Sequence, residues 1–123
     1  MLYAMFCYHS EDVVCAWSKE HDAAVMEKLT AVTDRLTAEG RLGPVARLMP
    51  TTAATTLRTH SEPGLVIDGP FAETKEALLG FFVIDCDDLE HALSIARELG
   101  VANPGGAYEV RPMSFFNPGG KVS

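Results

Sequence analysis

The sequence predicts an α+β domain with the element order β-α-β-β-α-β and a β-hairpin inserted before the third core strand. Residues 2–8 and 78–86 are apolar runs of strand length. Residues 18–39 and 87–99, which follow them, have helical periodicity. A chain of 123 residues is long enough for a single domain of this kind, residues 1–123, with its own core.

The first strand stops at the polar His9, and the first helix is expected from about Ser18 to Glu39. Ser18 suits the N-cap, and Gly40 suits the position just after the helix. The residues between them that share one helical face are Trp17, His21, Val25, Leu29, Val32 and Leu36.

Residues 41–50 carry Gly43 and Pro44, which limits them to a short, irregular edge strand. Residues 54–58 and 64–67 are rich in β-branched side chains and flank a turn-forming stretch, so we expect a hairpin there. This hairpin leads the chain to the third core strand.

The second helix is expected over residues 87–99, because Asp87 and Glu90 have capping-box spacing and Gly100 suits its end. Residues 108–112 alternate in polarity, which predicts an edge strand with one solvent-exposed face. The tail from about residue 114 to 123 is expected to be mobile or to dock on a partner.

In this topology the first and third core strands are central, and both are apolar on both faces. Two helices can cover only one side of the sheet. The other side would expose roughly several hundred Å² of apolar surface, more than a soluble monomer usually tolerates. We therefore predict a homodimer in which two sheets pack face to face.

Composition excludes several classes of protein. A net charge of −7 and a pI near 4.9 argue against binding to nucleic acid or to an anionic membrane. The three cysteines are an odd number without Cys-x-x-Cys spacing, and Cys7 and Cys86 lie within apolar runs. We therefore expect the cysteines to be small buried hydrophobic residues in a reducing compartment. Residues 1–8 lack the basic region of a signal peptide, so we expect a cytoplasmic protein.

The stretch DGPFAETKE, residues 68–76, is the candidate site. It is a polar turn between two apolar strands, so its carboxylates, lysine and backbone amides should lie at a sheet end beside the core. Pro70 fixes its own φ and pushes Gly69 away from helical geometry, so the strand stops at Asp68. The alternative is that Asp68 only forms a local Asx-turn.

This stretch also resembles the signature of the YCII-related proteins of the DGPF-domain type. The resemblance extends to residues 79–85, 48–51, 54–58 and 109–112. It implies a ferredoxin-like dimeric α+β barrel. DGPF-type domains are also similar to modules found with alternative sigma factors, and this similarity implies a regulatory setting.

His21 is the first catalytic candidate. A lone histidine on an apolar stripe is more often structural. The resemblance implies a functional histidine at this place in the first helix, paired with an aspartate, and the matching residues are His21 and Asp68. A carboxylate on one ring nitrogen would fix the tautomer and leave the other nitrogen for proton transfer.

The remaining substrate-binding candidates are Gly69, Pro70, Phe71, Glu73 and Lys75. Lys75 could hold an anionic oxygen while the amides around Gly69 and Phe71 add fixed dipoles. The alternatives are a solvated charge cluster and, for Phe71, a core plug. Neither metal-ligand spacing nor a cofactor-binding motif is present.

These features predict a cofactor-independent acid/base enzyme of the isomerase or lyase type, acting on a small molecule beside the DGPF turn. The alternative is a non-catalytic ligand-binding or regulatory dimer linked to transcriptional control.

Overall fold

The structure is a computed structural model that describes residues 1–121. The chain forms six strands and three α-helices in these residues, together with a single 3₁₀ turn at Thr51–Ala53. In chain order they are β1 (Leu2–His9), α1 (Glu11–Val14), α2 (Lys19–Ala38), β2 (Leu42–Arg47), β3 (Thr55–Arg58), β4 (Leu65–Asp68), β5 (Ala77–Asp85), α3 (Leu89–Ala102) and β6 (Ala107–Pro112).

The core sheet has the strand order β2-β5-β1-β6, and every pair in it is antiparallel. The two doubly apolar strands, β1 and β5, are central as predicted. Strands β3 and β4 form a separate two-stranded hairpin, also as predicted. The fold is therefore ferredoxin-like α+β with an inserted hairpin, and within the described chain the sheet stays open rather than closing into a barrel.

One face of the sheet packs against α2 and α3 and forms the core. Side chains alternate across a strand, and the register places Met5 opposite Phe82 and Tyr3 opposite Ile84 on this face. The largest fully buried side chains are Met5, Leu36, Ile84, Cys86 and Leu99. Cys7 and Cys86 are buried free thiols, as predicted, whereas Cys15 is exposed.

The opposite face is also apolar, and it pairs Ala4 with Val83 and Phe6 with Phe81. Ala4 and Val83 are buried in the chain itself. Gly43 lies against Val83, and the segment that follows β6 borders a groove with Ala4 and Phe6. The chain thus covers part of a face that the sequence led us to expect open.

The helix predictions succeeded for α2 and failed at both ends of α3. The Ser18 hydroxyl accepts from the His21 amide at 3.0 Å, and Gly40 follows α2 with φ +72°. In α3 the N-cap is Asp88, which accepts from the His91 amide at 2.8 Å, rather than the predicted Asp87 with Glu90.

Gly100 lies inside α3 and does not end it. A helical glycine costs about 1 kcal/mol, and the burial of Leu99 and Ala102 on either side outweighs that cost. The helix therefore continues to Ala102.

The connection from β1 to α2 contains the short helix α1, which was not predicted. Ser10 caps it, and the Glu11 carboxylate accepts from both the amide, at 2.7 Å, and the hydroxyl of Thr51. The first strand was expected to stop at the polar His9, but His9 is the last residue of β1 and is only 3% exposed. Within residues 1–121, no helix combines the length and the apolar character needed to cross a membrane.

Candidate functional site

Several elements meet at one end of the core sheet, which we call the His9 end. Here β1 ends, β5 begins, and β2 ends, since His9 pairs with Ala77 and Arg47 with Gly80. Helix α2 follows β1 in the chain and starts at this end. The β3–β4 hairpin lies between β2 and β5 in the chain, so it is also connected to the sheet at this end. The His21 helix turn and the DGPF stretch therefore lie at the same end of the sheet.

A cavity of about 180 Å³ lies between α2 and the sheet. We call it the α2 cavity. Its lining residues Met26, Val45 and Arg47 are exposed, so it opens between α2 and the edge strand β2. Most of the wall is apolar and includes Val14, Trp17, Val25, Met26, Leu29, Val45, Leu79 and Phe82.

An ion pair spans the cavity opening. The Arg47 guanidinium donates to both Asp22 oxygens, at 2.7 and 3.2 Å. This hydrogen bonding lowers the pKa of the Asp22 carboxyl and raises the pKa of Arg47. Since Asp22 is in the first turn of α2, the helix dipole also favours its negative charge.

The inner wall of the cavity carries three polar side chains, Cys7, Asn103 and Tyr108. Asn103 Nδ2 lies 4.0 Å from Cys7 Sγ. The Tyr108 hydroxyl and the Asn103 side-chain amide oxygen are fully buried, and the Tyr108 hydroxyl lies beside the Cys7 and Asn103 side chains. Burial raises the pKa of both Tyr108 and Cys7, so both groups are neutral at physiological pH.

Trp17 lies between two histidines and also lines the cavity. Its ring meets His9 and His21 edge to face, with centroid distances of 5.8 and 4.8 Å. His9 Nε2 is 3.1 Å from the Pro104 carbonyl oxygen, whereas His9 Nδ1 is buried without a partner in the described chain. His21 is exposed. Its ring contacts Trp17, which lines the cavity. The predicted apolar stripe of α2 included His21, but the buried residues of the helix are Val25 and Leu36.

The DGPF stretch forms the root of the β3–β4 hairpin. The Gly69 amide donates to the Ala54 carbonyl at 2.8 Å, and the Thr56 hydroxyl donates to the Gly69 carbonyl at 2.8 Å. Gly69 has φ +110°, a conformation that favours glycine. The Gly69 amide is thus engaged within the hairpin and Pro70 is half-buried beside it.

The His21 and Asp68 side chains are not in contact within one chain. Both are exposed, and no hydrogen bond or ion pair in residues 1–121 joins them. Glu73 and Lys75 are exposed as well. Phe71 is 73% exposed, so its interpretation as a core plug is wrong, and the Arg58 guanidinium lies 4.8 Å from its ring centroid.

Sequence reasoning missed most of the cavity. Asp22 follows His21 directly, but its partner Arg47 lies on the irregular edge strand β2, where no functional residue was predicted. No role was predicted for Asn103, and Tyr108 was predicted only as part of an edge strand. Trp17 offered a signal, because it starts the stripe that contains His21 and is the chain's single tryptophan.

Across the part of the chain that the structure describes, no group of three or more His, Cys, Asp or Glu side chains is placed to hold a metal ion.

The fold and the cavity define a ferredoxin-like α+β protein with a candidate small-molecule site under its first long helix. The family model of the YCII-related domain matches residues 1–117, and the chain belongs to this family. It is 58% identical over 120 residues to a curated protein of Rhizobium meliloti (strain 1021) that is described as uncharacterized, a match that covers 97% of each chain. The predicted family is confirmed.

Proposed function

We propose that this chain is a small-molecule-binding protein that holds its ligand in the α2 cavity. The observation that carries the proposal is a preformed apolar cavity with a few polar groups on its inner wall, Cys7, Asn103 and Tyr108. Ligand sites are typically built this way, with apolar walls for affinity and a small number of polar atoms for orientation.

A cavity-filling substitution tests this proposal. Val25 is buried and lines the cavity, so Val25→Phe should occupy the ligand's space. Val101→Phe is the matched control, because Val101 is 81% exposed on α3. Small aromatic compounds should raise the melting temperature of wild type and Val101→Phe but not of Val25→Phe. Equal shifts in all three folded proteins would remove the α2 cavity from ligand binding.

We also propose that the protein is a homodimer. The open sheet and the β3–β4 hairpin support this, since Leu57, Leu65, Val66 and Phe71 are more than half exposed on or beside the hairpin. A second copy would cover them and could close the two sheets into a barrel. Val66→Lys should weaken dimerisation about tenfold or more in sedimentation experiments. A wild-type monomer at micromolar concentration would contradict the proposal.

A cofactor-independent acid/base enzyme of the isomerase or lyase type is the second candidate. It is favoured by the position of His21, whose exposed ring borders the cavity wall at the same sheet end as Asp68. Because the two side chains do not meet within one chain, a His21–Asp68 pair requires either the substrate or the second subunit to bring them together. Lys75 would then be a contact for an anionic oxygen.

The two candidates differ in what His21→Ala does. An acid/base enzyme should lose turnover of a bound compound by about 10²-fold or more while it retains binding. A binding protein should keep its affinity and convert nothing. A regulatory dimer linked to transcriptional control would behave in the second way.

The cellular setting follows from the same features. A net charge of −7 supports a protein that contacts neither nucleic acid nor an anionic membrane directly. Two buried free thiols support a reducing compartment, and we propose the cytoplasm.

A further inference from the structure

The opening of the α2 cavity carries charge, whereas its walls do not. Among the cavity-lining residues of the described chain, Asp22 and Arg47 alone have charged side chains. Arg47 is the more exposed of the two, at 51% against 35% for Asp22. A ligand that fills the apolar interior therefore meets charged groups at one end, and that end is open to water.

The Arg47 guanidinium has hydrogen-bond donors left over after it binds Asp22. An arginine side chain has five N–H donors in one plane. One donor on each terminal nitrogen bonds to Asp22, and the structure shows no further hydrogen bond from this guanidinium within residues 1–121. The Nε–H group and one N–H on each terminal nitrogen remain. Nε–H and a neighbouring N–H form a fork that matches a planar carboxylate.

Asp22 is the less suitable contact for a charged ligand. Both of its oxygens already accept from Arg47, and the dipole of α2 also compensates its charge. A ligand carboxylate is repelled by Asp22, but it gains free donors on Arg47, whereas an ammonium is repelled by Arg47 and finds both Asp22 oxygens engaged. His21 adds a second basic side chain here, since its ring lies against the cavity-lining Trp17. The opening therefore favours an anion over a cation.

The position of Arg47 lets a carboxylate bind without being buried. Burial of a charge is costly, but Arg47 is half exposed, so a carboxylate bound to it keeps contact with water. The chain's net charge of −7 opposes any anion. That effect decays over about 10 Å at roughly 0.1 M salt, whereas Arg47 acts at hydrogen-bond distance.

The size of the cavity limits the apolar part of the ligand. Its volume is about 180 Å³. An apolar protein cavity of roughly 150 Å³ is large enough to hold benzene. The rings of Trp17 and Phe82 line the cavity, so an aromatic or aliphatic ring can pack against them. The interior therefore accommodates a body of the size of one ring.

We propose that the ligand of the α2 cavity is a small monocarboxylate with an apolar, ring-sized body, and that its carboxylate binds the Arg47 guanidinium at the opening. This inference rests on the proposed function and adds the chemical class of the ligand. The ring packs against the apolar walls. The carboxylate accepts from the free donors of Arg47 while Asp22 keeps its own bonds, and the charge of Asp22 limits the affinity.

Benzoate, benzamide and benzamidine test the proposal, because they have nearly the same shape and are negative, neutral and positive at neutral pH. Their binding is measured by ligand-observed NMR titration at low salt. The measured quantity is the ratio of benzoate affinity to benzamide affinity. Arg47→Met should lower this ratio roughly tenfold, because charge-assisted hydrogen bonds are lost. Arg47→Lys keeps the charge without the fork and should lower it less.

Asp22→Asn should move the ratio in the opposite direction. It removes the like charge beside the ligand and releases Arg47 from its ion pair, so the ratio should rise severalfold. Arg97→Met and Asp34→Asn are the matched controls, because they make the same charge changes at exposed positions outside the cavity. Their affinity ratios should equal that of wild type.

The outcomes separate this inference from the proposed function. Binding of benzoate and benzamide with the same ratio in wild type, Arg47→Met and Asp22→Asn would overturn the carboxylate inference and leave the cavity as a binding site. A benzamidine affinity above that of benzoate in wild type would also overturn it. Binding of none of the three probes to wild type, or undiminished binding of benzoate to Val25→Phe, would overturn ligand binding in the cavity itself.

Discussion

Helices α2 and α3 cover the same face of the sheet in different ways. The 14 residues of α3 include four that are buried, Ala92, Ile95, Leu99 and Ala102. The 20 residues of α2 include only two, Val25 and Leu36. The space that α2 leaves unfilled is the α2 cavity. Half of the helical layer thus stabilises the core, and the other half leaves room for a ligand.

A pair of leucine-to-alanine substitutions tests this comparison with the largest expected change in the free energy of unfolding. Leu99 is 0% exposed on α3, so Leu99→Ala should lower the free energy of unfolding by about 3–4 kcal/mol. Leu29 is half-buried on α2 beside the cavity and has fewer neighbours to lose, so Leu29→Ala should cost about 1 kcal/mol. Urea denaturation of both variants measures the difference. Equal costs would mean that α2 packs as tightly as α3.

The helix caps give a smaller contrast. Asp88 caps α3, whose first buried residue, Ala92, follows within one turn, so Asp88→Ala should cost about 1–1.5 kcal/mol. Ser18 caps α2, whose first buried residue is Val25, and its first turn can fray. Ser18→Ala should therefore cost only about 0.5 kcal/mol.

The Ser18 variant has a second measurable effect. The turn that it releases carries His21 and Asp22 and adjoins Trp17, so Trp17 fluorescence should change in Ser18→Ala and stay constant in Asp88→Ala. A Ser18→Ala variant that is as destabilised as Asp88→Ala would show that the first turn of α2 is held by more than its cap.

Most of the fold could be predicted from the sequence because it depends on local patterns. Strands apolar on both faces identified β1 and β5 as central, and proline and glycine identified β2 as an irregular edge. The end of α3 could not be predicted from Gly100, since the outcome depends on burial of Leu99 and Ala102 against the sheet. Local signals lose to tertiary packing at such positions.

The candidate site was less accessible to prediction. The His21 helix turn and the DGPF turn were expected at a sheet end, and both are at the His9 end. The cavity, by contrast, is lined by residues from α1, α2, β1, β2, β5, β6, the segment between the first two helices and the end of α3. Its ion pair joins residues 25 apart in sequence, and its inner wall joins residues 96 apart. Such contacts depend on strand register, which residue patterns alone leave open.

The smallest expected effect concerns the pH dependence of the Asp22–Arg47 pair. Arg47 lowers the pKa of Asp22 in the folded protein. The pair therefore contributes fully to stability above the ordinary pKa of an aspartate, about 4, and the contribution is lost as the pH falls through the lowered value. Both side chains are at least one-third exposed, so we expect less than about 1 kcal/mol.

Asp22→Asn should therefore destabilise the protein slightly at pH 7, and the difference should shrink at pH 2, as measured by urea denaturation at both values. Asp34→Asn, an exposed site on the same helix, is the control and should match wild type. Glu11 also has a lowered pKa through its bonds to Thr51, so wild type itself loses stability in acid, and only the difference between variants isolates Asp22. A difference that persists undiminished at pH 2 would assign the effect of Asp22 to packing or hydrogen bonding rather than to its charge. Arg47→Met at pH 7 separates the two charge effects, because it removes the ion pair and leaves the carboxylate at the start of α2.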